Sequence, residues 1–181
     1  MTSVCKIDKN WTLFLDRDGV INEKRDNDYV KKWQEFSFIK GSLEAISKLS
    51  IIFGRIIVVT NQRGVGRGLM TEEDLLFIHK KMTEVVYMNG GKIDQIYYCT
   101  DTSDYSENRK PNIGMALKAK LNFPDIDFTK SVMVGDSITD MQFGNKLGMN
   151  CILIDNRHGL NMIQDHVSRF ESLSEYALFL L

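Results

Sequence analysis

Asp16-Arg17-Asp18-Gly19, Thr60-Asn61-Gln62, Arg109-Lys110-Pro111 and Gly135-Asp136 bring together carboxylates, a hydroxyl with an amide, and a pair of cations, with Asp140 a helical turn beyond the last of them. That composition suits a site for a metal ion and a phosphate. A phosphate monoester dianion repels an attacking carboxylate, so a carboxylate nucleophile needs positive charge at its side. Mg²⁺ accepts all-oxygen sites and keeps several waters, so one or two protein carboxylates are enough to hold it. Asp16 and Asp136 fit that task, with Asp18 adding its backbone carbonyl. Lys110 and the metal would offset charge on the phosphoryl oxygens, where electrostatic stabilisation counts most. Thr60 and backbone N–H groups near Arg17 and Asn61 would hold the other oxygens. Asp16 is then free to attack phosphorus in line, and Asp18 can protonate the leaving oxygen. Neighbouring carboxylates push their pKa values apart, which permits one ionised and one protonated partner.

Such residues cooperate only if a scaffold gathers them. Short, nearly all-apolar runs stand at residues 12–15, 55–59, 95–99, 131–134 and 151–154, and the four stretches lie past the first four of these. Runs of this kind predict strands buried on both faces of a parallel sheet. Helices are expected between them. Ser42 is placed to cap one that carries Leu43, Ile46 and Leu49. Thr71 and Asp74 predict a capping box ahead of Leu75, Ile78, Met82, Val85 and Val86, with Gly90-Gly91 at the far end. Ile113, Ala116, Leu117, Lys120 and Leu121 have helical spacing before Pro124. Ser137 and Asp140 can cap a fourth helix, which Gly148 ends. Residues 167–181 predict one more strand and a terminal helix. The alternation predicts a single α/β domain over residues 1–181: an open, mostly parallel sheet with helices on both faces and right-handed crossovers. In such sheets ligands bind beyond the carboxyl ends of the strands, near the switch in strand order.

Other residues carry two readings. Asp140 is either part of the metal's surroundings or a helix cap. Arg63 and Arg67 either reach a second phosphate or are solvated surface arginines. Gly64, Gly66 and Gly68 read as a flexible turn, because no GKS or GKT follows and the spacing misses GxGxxG. With these, Arg17, Asn61, Gln62, Arg63, Arg67 and Arg109 form the expected substrate-binding set. His79, His158 and His166 lack Cys or His partners at ligand spacing and receive no role. Trp11 and Trp33 are read as packing.

Composition narrows the partners. Lys and Arg number 23 against 24 Asp and Glu, a net charge of -1, which gives no general electrostatic case for nucleic acid or an anionic membrane. No run approaches the roughly 18 apolar residues of a membrane span. Lys6, Asp8 and Lys9 interrupt the N-terminal segment, so no secretory signal is read there. Cys5, Cys99 and Cys151 are odd in number and widely spaced, which suits reduced thiols and a cytoplasmic location. A monomer acting on a small phosphorylated substrate is the expected state.

LFLDRDGVIN, VVTNQ, RKP and VGDSITD, in this order, resemble the four motifs of the haloacid dehalogenase-like phosphatases. The resemblance implies a Rossmann-like fold, a covalent aspartyl-phosphate at Asp16, an acid/base role for Asp18, and Mg²⁺ held by Asp16, Asp18 and Asp136. It also implies phosphate contacts from Thr60 and Lys110. DRDGVIN, TNQRGVGRG and RKPNIGM are most similar to the D-glycero-D-manno-heptose 1,7-bisphosphate 7-phosphatases, with histidinol-phosphate phosphatases as near relatives. Both lack a large cap domain, and residues 19–40 here are only flap-sized. In the heptose branch the position of Arg109 helps recognise substrate and that of Lys110 steadies the phosphoryl group. Those relatives carry a zinc loop with a Cys-Pro-His start and a Cys-x-Cys finish. This chain has CTDTSDYSENRKP, with Cys99 alone. One thiol cannot build a four-ligand zinc site, so no structural zinc is expected, and the loop must hold its shape through Asp, Ser and Thr hydrogen bonds. The competing readings are a histidinol-phosphate phosphatase, an idle phosphosugar-binding protein, and a dehalogenase. The last would need neither Asp136 nor an acid at Asp18.

Overall fold

The computed structural model describes residues 6–25, 28–154 and 167–181. Cys5, His158 and His166 lie outside them. The described chain runs β1 (Thr12–Leu15), α1 (Ser42–Ile52), β2 (Arg55–Asn61), α2 (Arg63–Gly66), α3 (Glu72–Met88), β3 (Gln95–Cys99), α4 (Gly114–Asn122), β4 (Ser131–Gly135), α5 (Ile138–Lys146), β5 (Asn150–Ile154), β6 (Ser168–Phe170) and α6 (Leu173–Phe179). Six strands form one sheet in the order β3-β2-β1-β4-β5-β6, and every pairing is parallel.

The strand residues alternate between two cores, as the pleat requires. Leu13, Leu15, Ile56, Val58, Val132 and Val134 face α1, α3 and α6, through Ile46 and Leu49, Met82 and Val86, and Leu173 and Ala177. Phe14, Ile57, Val59, Met133 and Leu153 face α4 and α5, through Met115, Ala116, Ala119, Met141 and Phe143. Apolar burial on both faces is why the runs read as continuous rather than alternating. The segment between β1 and α1 carries a 3₁₀ turn at Trp33–Glu35. Its Val30 packs on Met70, Leu75 and Ile78.

The chain goes from β1 outward through β2 to β3, then crosses back to place β4 on the other side of β1. The carboxyl ends of β1 and β4 therefore flank the reversal in strand order, where a crevice opens for ligands.

Several local expectations change. Ser42 is not the cap of α1: Gly41 holds that position with φ 82°, and Ser42 Oγ donates to the Ile21 carbonyl at 2.9 Å. The hydroxyl ties the helix to the flap instead. The inner face of α4 is Met115, Ala116 and Ala119, while Leu117 is 47% and Leu121 78% exposed. Small alanines let that helix approach the sheet closely, and the larger residues turn outward. Val85 is only half-buried, and His79 takes its place in the buried stripe of α3. Gly64 and Gly66 belong to the one-turn helix α2 rather than to a flexible turn. A Cβ at Gly66 would lie 2.1 Å from the Thr100 carbonyl oxygen, so the glycine permits close contact with the next loop. The capping boxes at Thr71/Asp74 and Ser137/Asp140 are both present.

Candidate active site

The loops after β1, β2 and β4, together with the Arg109-Lys110 segment, converge at the carboxyl edge of the sheet. Lys110 is the hub. Its Nζ lies 2.9 Å from Asp16 Oδ1 and 2.6 Å from Asp140 Oδ1, and donates to the Val59 carbonyl at 2.7 Å. The three protons of the ammonium thus have three oxygen partners. Burial works against its charge, but Asp140 and Asp16 outweigh burial and raise the lysine pKa above its ordinary value. Asn61 sets the approach of this segment: its Nδ2 donates to the Lys110 carbonyl at 3.1 Å and its Oδ1 accepts from the Lys110 N–H at 3.0 Å.

Asp16, Asp136 and Asp140 each present a carboxylate oxygen, and the three lie within 4.8 Å of one another. The buried Oδ1 of Asp136 has no hydrogen-bond partner among the described residues, while its Oδ2 accepts from Lys24 at 2.7 Å. Clustered carboxylates with an orphaned buried oxygen fit a hard divalent cation such as Mg²⁺. Gly19, at φ 91°, is what lets the β1 loop lie against Asp136, since a Cβ there would sit 2.2 Å from Asp136 Oδ2. Asp140 answers its two sequence readings together. Its Oδ2 accepts from the Ser137 N–H as a cap, and its Oδ1 faces Lys110.

Asp18 points its carboxylate elsewhere. Arg17 Nη2 donates to both of its oxygens at 3.0 Å, Asn22 Nδ2 to Oδ1 at 2.9 Å and Gln62 Nε2 to Oδ2 at 2.8 Å. Its side chain is still 24% exposed and open to the crevice. The backbone carbonyl is then the group of Asp18 left to face a cation. Burial alone would raise the Asp18 pKa, but the Arg17 charge with the Asn22 and Arg17 hydrogen bonds lowers it. Asp16 goes the other way, pushed up to about 7 by burial and by Asp140, Asp136 and Asp18 against the pull of Lys110. The sequence reading required an ionised Asp16 and a protonated Asp18, whereas burial and the neighbouring charges shift the two in the opposite directions. A cation at the carboxylate cluster and a phosphate dianion beside Asp18 would each correct its neighbour, by attraction in the first case and repulsion in the second.

Three members of the expected substrate-binding set have other partners. The Arg17 side chain is 1% exposed and bonded to Asp18 and His79, so only its backbone can meet a ligand. Gln62 is buried and donates to Thr60 Oγ1 at 2.9 Å as well as to Asp18, bridging the acid to β2. The Asn61 amide is spent on Lys110. The remaining arginines stand at the rim. Arg63 pairs with Asp104, and Arg109 Nε lies 3.4 Å from the same carboxylate. Arg63 Nε and Arg109 Nη1 are buried and lack hydrogen-bond partners among the described residues. Arg67 donates to the Tyr29 hydroxyl at 3.1 Å.

Asn22, Lys24, His79 and Asp104 escaped the sequence reading. Asn22 carried a signal, four residues after Asp18 in the same motif. The others meet their partners across 62 to 112 positions of sequence or from an irregular loop, and no spacing rule reports that. Side-chain hydrogen bonds cross the loop at 100–108. Ser106 Oγ donates to Asp101, Cys99 Sγ lies 3.6 Å from Asp101 Oδ2, and Asn112 Nδ2 donates to the Ser106 carbonyl at 2.9 Å.

A family model described as Polynucleotide kinase 3 phosphatase matches residues 8–167. The chain is 35% identical over 171 residues to a D-glycero-alpha-D-manno-heptose-1,7-bisphosphate 7-phosphatase of Campylobacter jejuni, covering 94% of this chain and 96% of the relative. It is 39% identical over 145 residues to the D-glycero-beta-D-manno-heptose-1,7-bisphosphate 7-phosphatase of Vibrio cholerae, covering 76% of each. The solved D,D-heptose 1,7-bisphosphate phosphatase of B. bronchiseptica, complexed with magnesium and phosphate, superimposes with a TM-score of 0.85 at 31% identity, covering 94% of this chain and 97% of that one. The motif order, the parallel sheet and these relatives agree: the chain belongs to the haloacid dehalogenase-like phosphatases, within the family that the Polynucleotide kinase 3 phosphatase model describes.

Proposed function

We propose that the chain is a Mg²⁺-dependent phosphomonoester hydrolase that removes the 7-phosphate of D-glycero-D-manno-heptose 1,7-bisphosphate, the reaction named for its relatives. The observation that carries this reading is the Lys110 ammonium between Asp16 and Asp140 at the switch in strand order. Asp16 attacks phosphorus, the bond from phosphorus to the sugar oxygen breaks, and Asp18 delivers a proton to that oxygen. Asp18 then takes a proton from water, the hydroxide attacks the aspartyl-phosphate, and Asp16 and phosphate are released. Lys110 stays beside the phosphoryl oxygens through both steps, and Thr60 with the backbone N–H groups after Asp16 and Asn61 holds the rest. When bound at Asp16, Asp136 and the Asp18 carbonyl, Mg²⁺ supplies positive charge against the dianion. Arg63 and Arg109 receive the distal phosphate. Uncatalysed phosphate monoester hydrolysis is among the slowest reactions known, so a site that concentrates cations and divides nucleophile from acid matches the demand.

The loop at 100–108 works without zinc, since Cys99 has hydroxyl and carboxylate neighbours in place of further thiols. The single domain acts as a monomer in the cytoplasm on a soluble sugar phosphate, without a nucleic-acid or membrane partner. The near-balanced charge gives no electrostatic case for a nucleic-acid partner, and among the described residues no helix is long and apolar enough to cross a membrane. The test is phosphate release with and without Mg²⁺ from both anomers of the heptose bisphosphate, histidinol phosphate and a 3′-phosphorylated oligonucleotide, alongside metal analysis of the purified protein. The expected result is Mg²⁺-dependent release fastest from one heptose anomer, with no stoichiometric zinc. Equal rates on all substrates would refute the substrate, and stoichiometric zinc would refute the account of the loop.

A further inference from the structure

Arg17 stands between the two reactive aspartates in sequence, yet its guanidinium is 1% exposed. A buried charge is tolerated only when its hydrogens find acceptors. Nη2 meets both oxygens of Asp18, and Nη1 lies 3.1 Å from His79 Nε2. Arginine has donors and no acceptor, so His79 Nε2 must be the accepting nitrogen and the ring proton sits on Nδ1. Burial, followed by the Arg17 charge, keeps this imidazole neutral, with its pKa pushed down to about 3. The ring is buried in the inward stripe of α3 and contacts Tyr98 of β3, with ring centroids 5.6 Å apart. Arg17 Nε already lacks a partner among the described residues. Removing the imidazole acceptor would leave a second buried donor of the guanidinium unmet. The guanidinium would then turn to find an acceptor, and the Asp18 carboxylate bonded to it would turn as well.

We propose that His79 is a positioning residue for catalysis: by accepting from Arg17 Nη1 it locks the guanidinium against Asp18 and so fixes the angle at which Asp18 meets the leaving oxygen. This rests on the reading of Asp18 as the acid/base. The arrangement couples α3, which supplies nothing to the carboxylate cluster, to the proton-transfer step through one buried cation. Asn22 and Gln62 hold the same carboxylate from other sides, so loss of His79 degrades its angle without abolishing its place.

The test separates proton transfer from general damage. kcat/KM is measured with Mg²⁺ on phenyl phosphate, a poor leaving group that needs an acid, and on para-nitrophenyl phosphate, a good one that does not. This ratio reports the steps through departure of the leaving group and is free of the aspartyl-phosphate hydrolysis that Asp18 also serves. The proteins are the parent, His79→Phe, His79→Gln and Asp18→Asn. His79→Phe keeps a ring against Tyr98 but removes the acceptor; kcat/KM on phenyl phosphate is expected to fall roughly tenfold, with that on para-nitrophenyl phosphate changed less than about threefold. His79→Gln restores an acceptor and most of the lost kcat/KM. Equal loss of kcat/KM on both substrates, or no rescue by glutamine, overturns the proposal. If His79→Phe does not fold, the same comparison is read from His79→Asn, whose shorter amide falls short of Arg17. Asp18→Asn must show the same leaving-group pattern more strongly. If it does and the His79 variants do not, the positioning role alone fails; if it does not, the reading of Asp18 fails and the proposal with it.

Discussion

Two charged networks meet at the carboxyl edge of the sheet, and burial divides them. On the floor, Lys110 joins Asp16, Asp140 and the Val59 carbonyl, and Arg17 joins Asp18 to His79, with Lys110, Arg17, Asp140 and His79 all buried. At the rim, Arg63 and Arg109, each 17% exposed, share Asp104, which is 80% exposed, and Lys24, 48% exposed, reaches Asp136, so each of these pairs has one partner in open water. Exposed pairs contribute about 0–1 kcal/mol, because water competes and salt screens them. Breaking a buried pair from one side costs about 3–5 kcal/mol, because the remaining charge is stranded. The floor therefore fixes geometry, whereas the rim holds its cations with a partner that an incoming phosphate can replace.

The largest effect expected is on the nucleophile. Asp16→Ala should lower turnover by about 10⁴-fold or more while circular dichroism stays that of the parent; residual activity near the parental value would remove Asp16 from its role. Next, Lys110→Met strands Asp16 and Asp140 and should cost about 3–5 kcal/mol in denaturant titration, against less than about 0.5 kcal/mol for Asp104→Ala. Similar losses from the two variants would erase the distinction between floor and rim. A third effect follows from His79. Its pKa falls from 6.5 unfolded to about 3 folded, so the unfolded chain binds the extra proton, and stability complete above pH 6.5 declines as the pH drops towards 3. His79→Gln should flatten that acid-side decline in melting temperature between pH 7 and 5; an unchanged slope would contradict the buried neutral imidazole. The smallest effect is at the rim. Asp104→Asn should lower KM for the bisphosphate by about two- to fivefold, an order-of-magnitude expectation for an exposed pair, and leave phenyl phosphate unchanged. A rise in KM would mean that Asp104 holds the arginines in place instead of competing for them.

The sequence showed the skeleton of this arrangement clearly and its fastening poorly. Residues 12–15 read as a strand because burial on both faces erases polar alternation, while 95–99 form an edge strand in which Tyr97 and Cys99 are buried and Gln95 is exposed; Asp16, Thr60 and Asp136 stood out because they lie where an apolar run stops. The inner face of α4 was misread because large apolar residues dominate a periodicity count, while the sheet selected Ala116 and Ala119 for their size. Arg17 looked like a ligand for phosphate because an arginine beside two aspartates is normally solvated. Its burial depends on an imidazole 62 residues away. His79 received no role because nothing in its spacing pointed to Arg17. Asp104 sits in an irregular loop with no periodicity to interpret.

β1 pairs with β4 only after the chain has travelled out to β3 and returned, from Leu15 to Val134 in the register. Closing so long a loop is entropically costly, and its cost precedes the reward of the contacts. Asp16 therefore has no acidic neighbour from β4 or α5 until the second half of the sheet has docked. Phosphatase activity should be the last signal to return on refolding, lagging helix formation, which makes catalysis itself a clock for completion of the sheet.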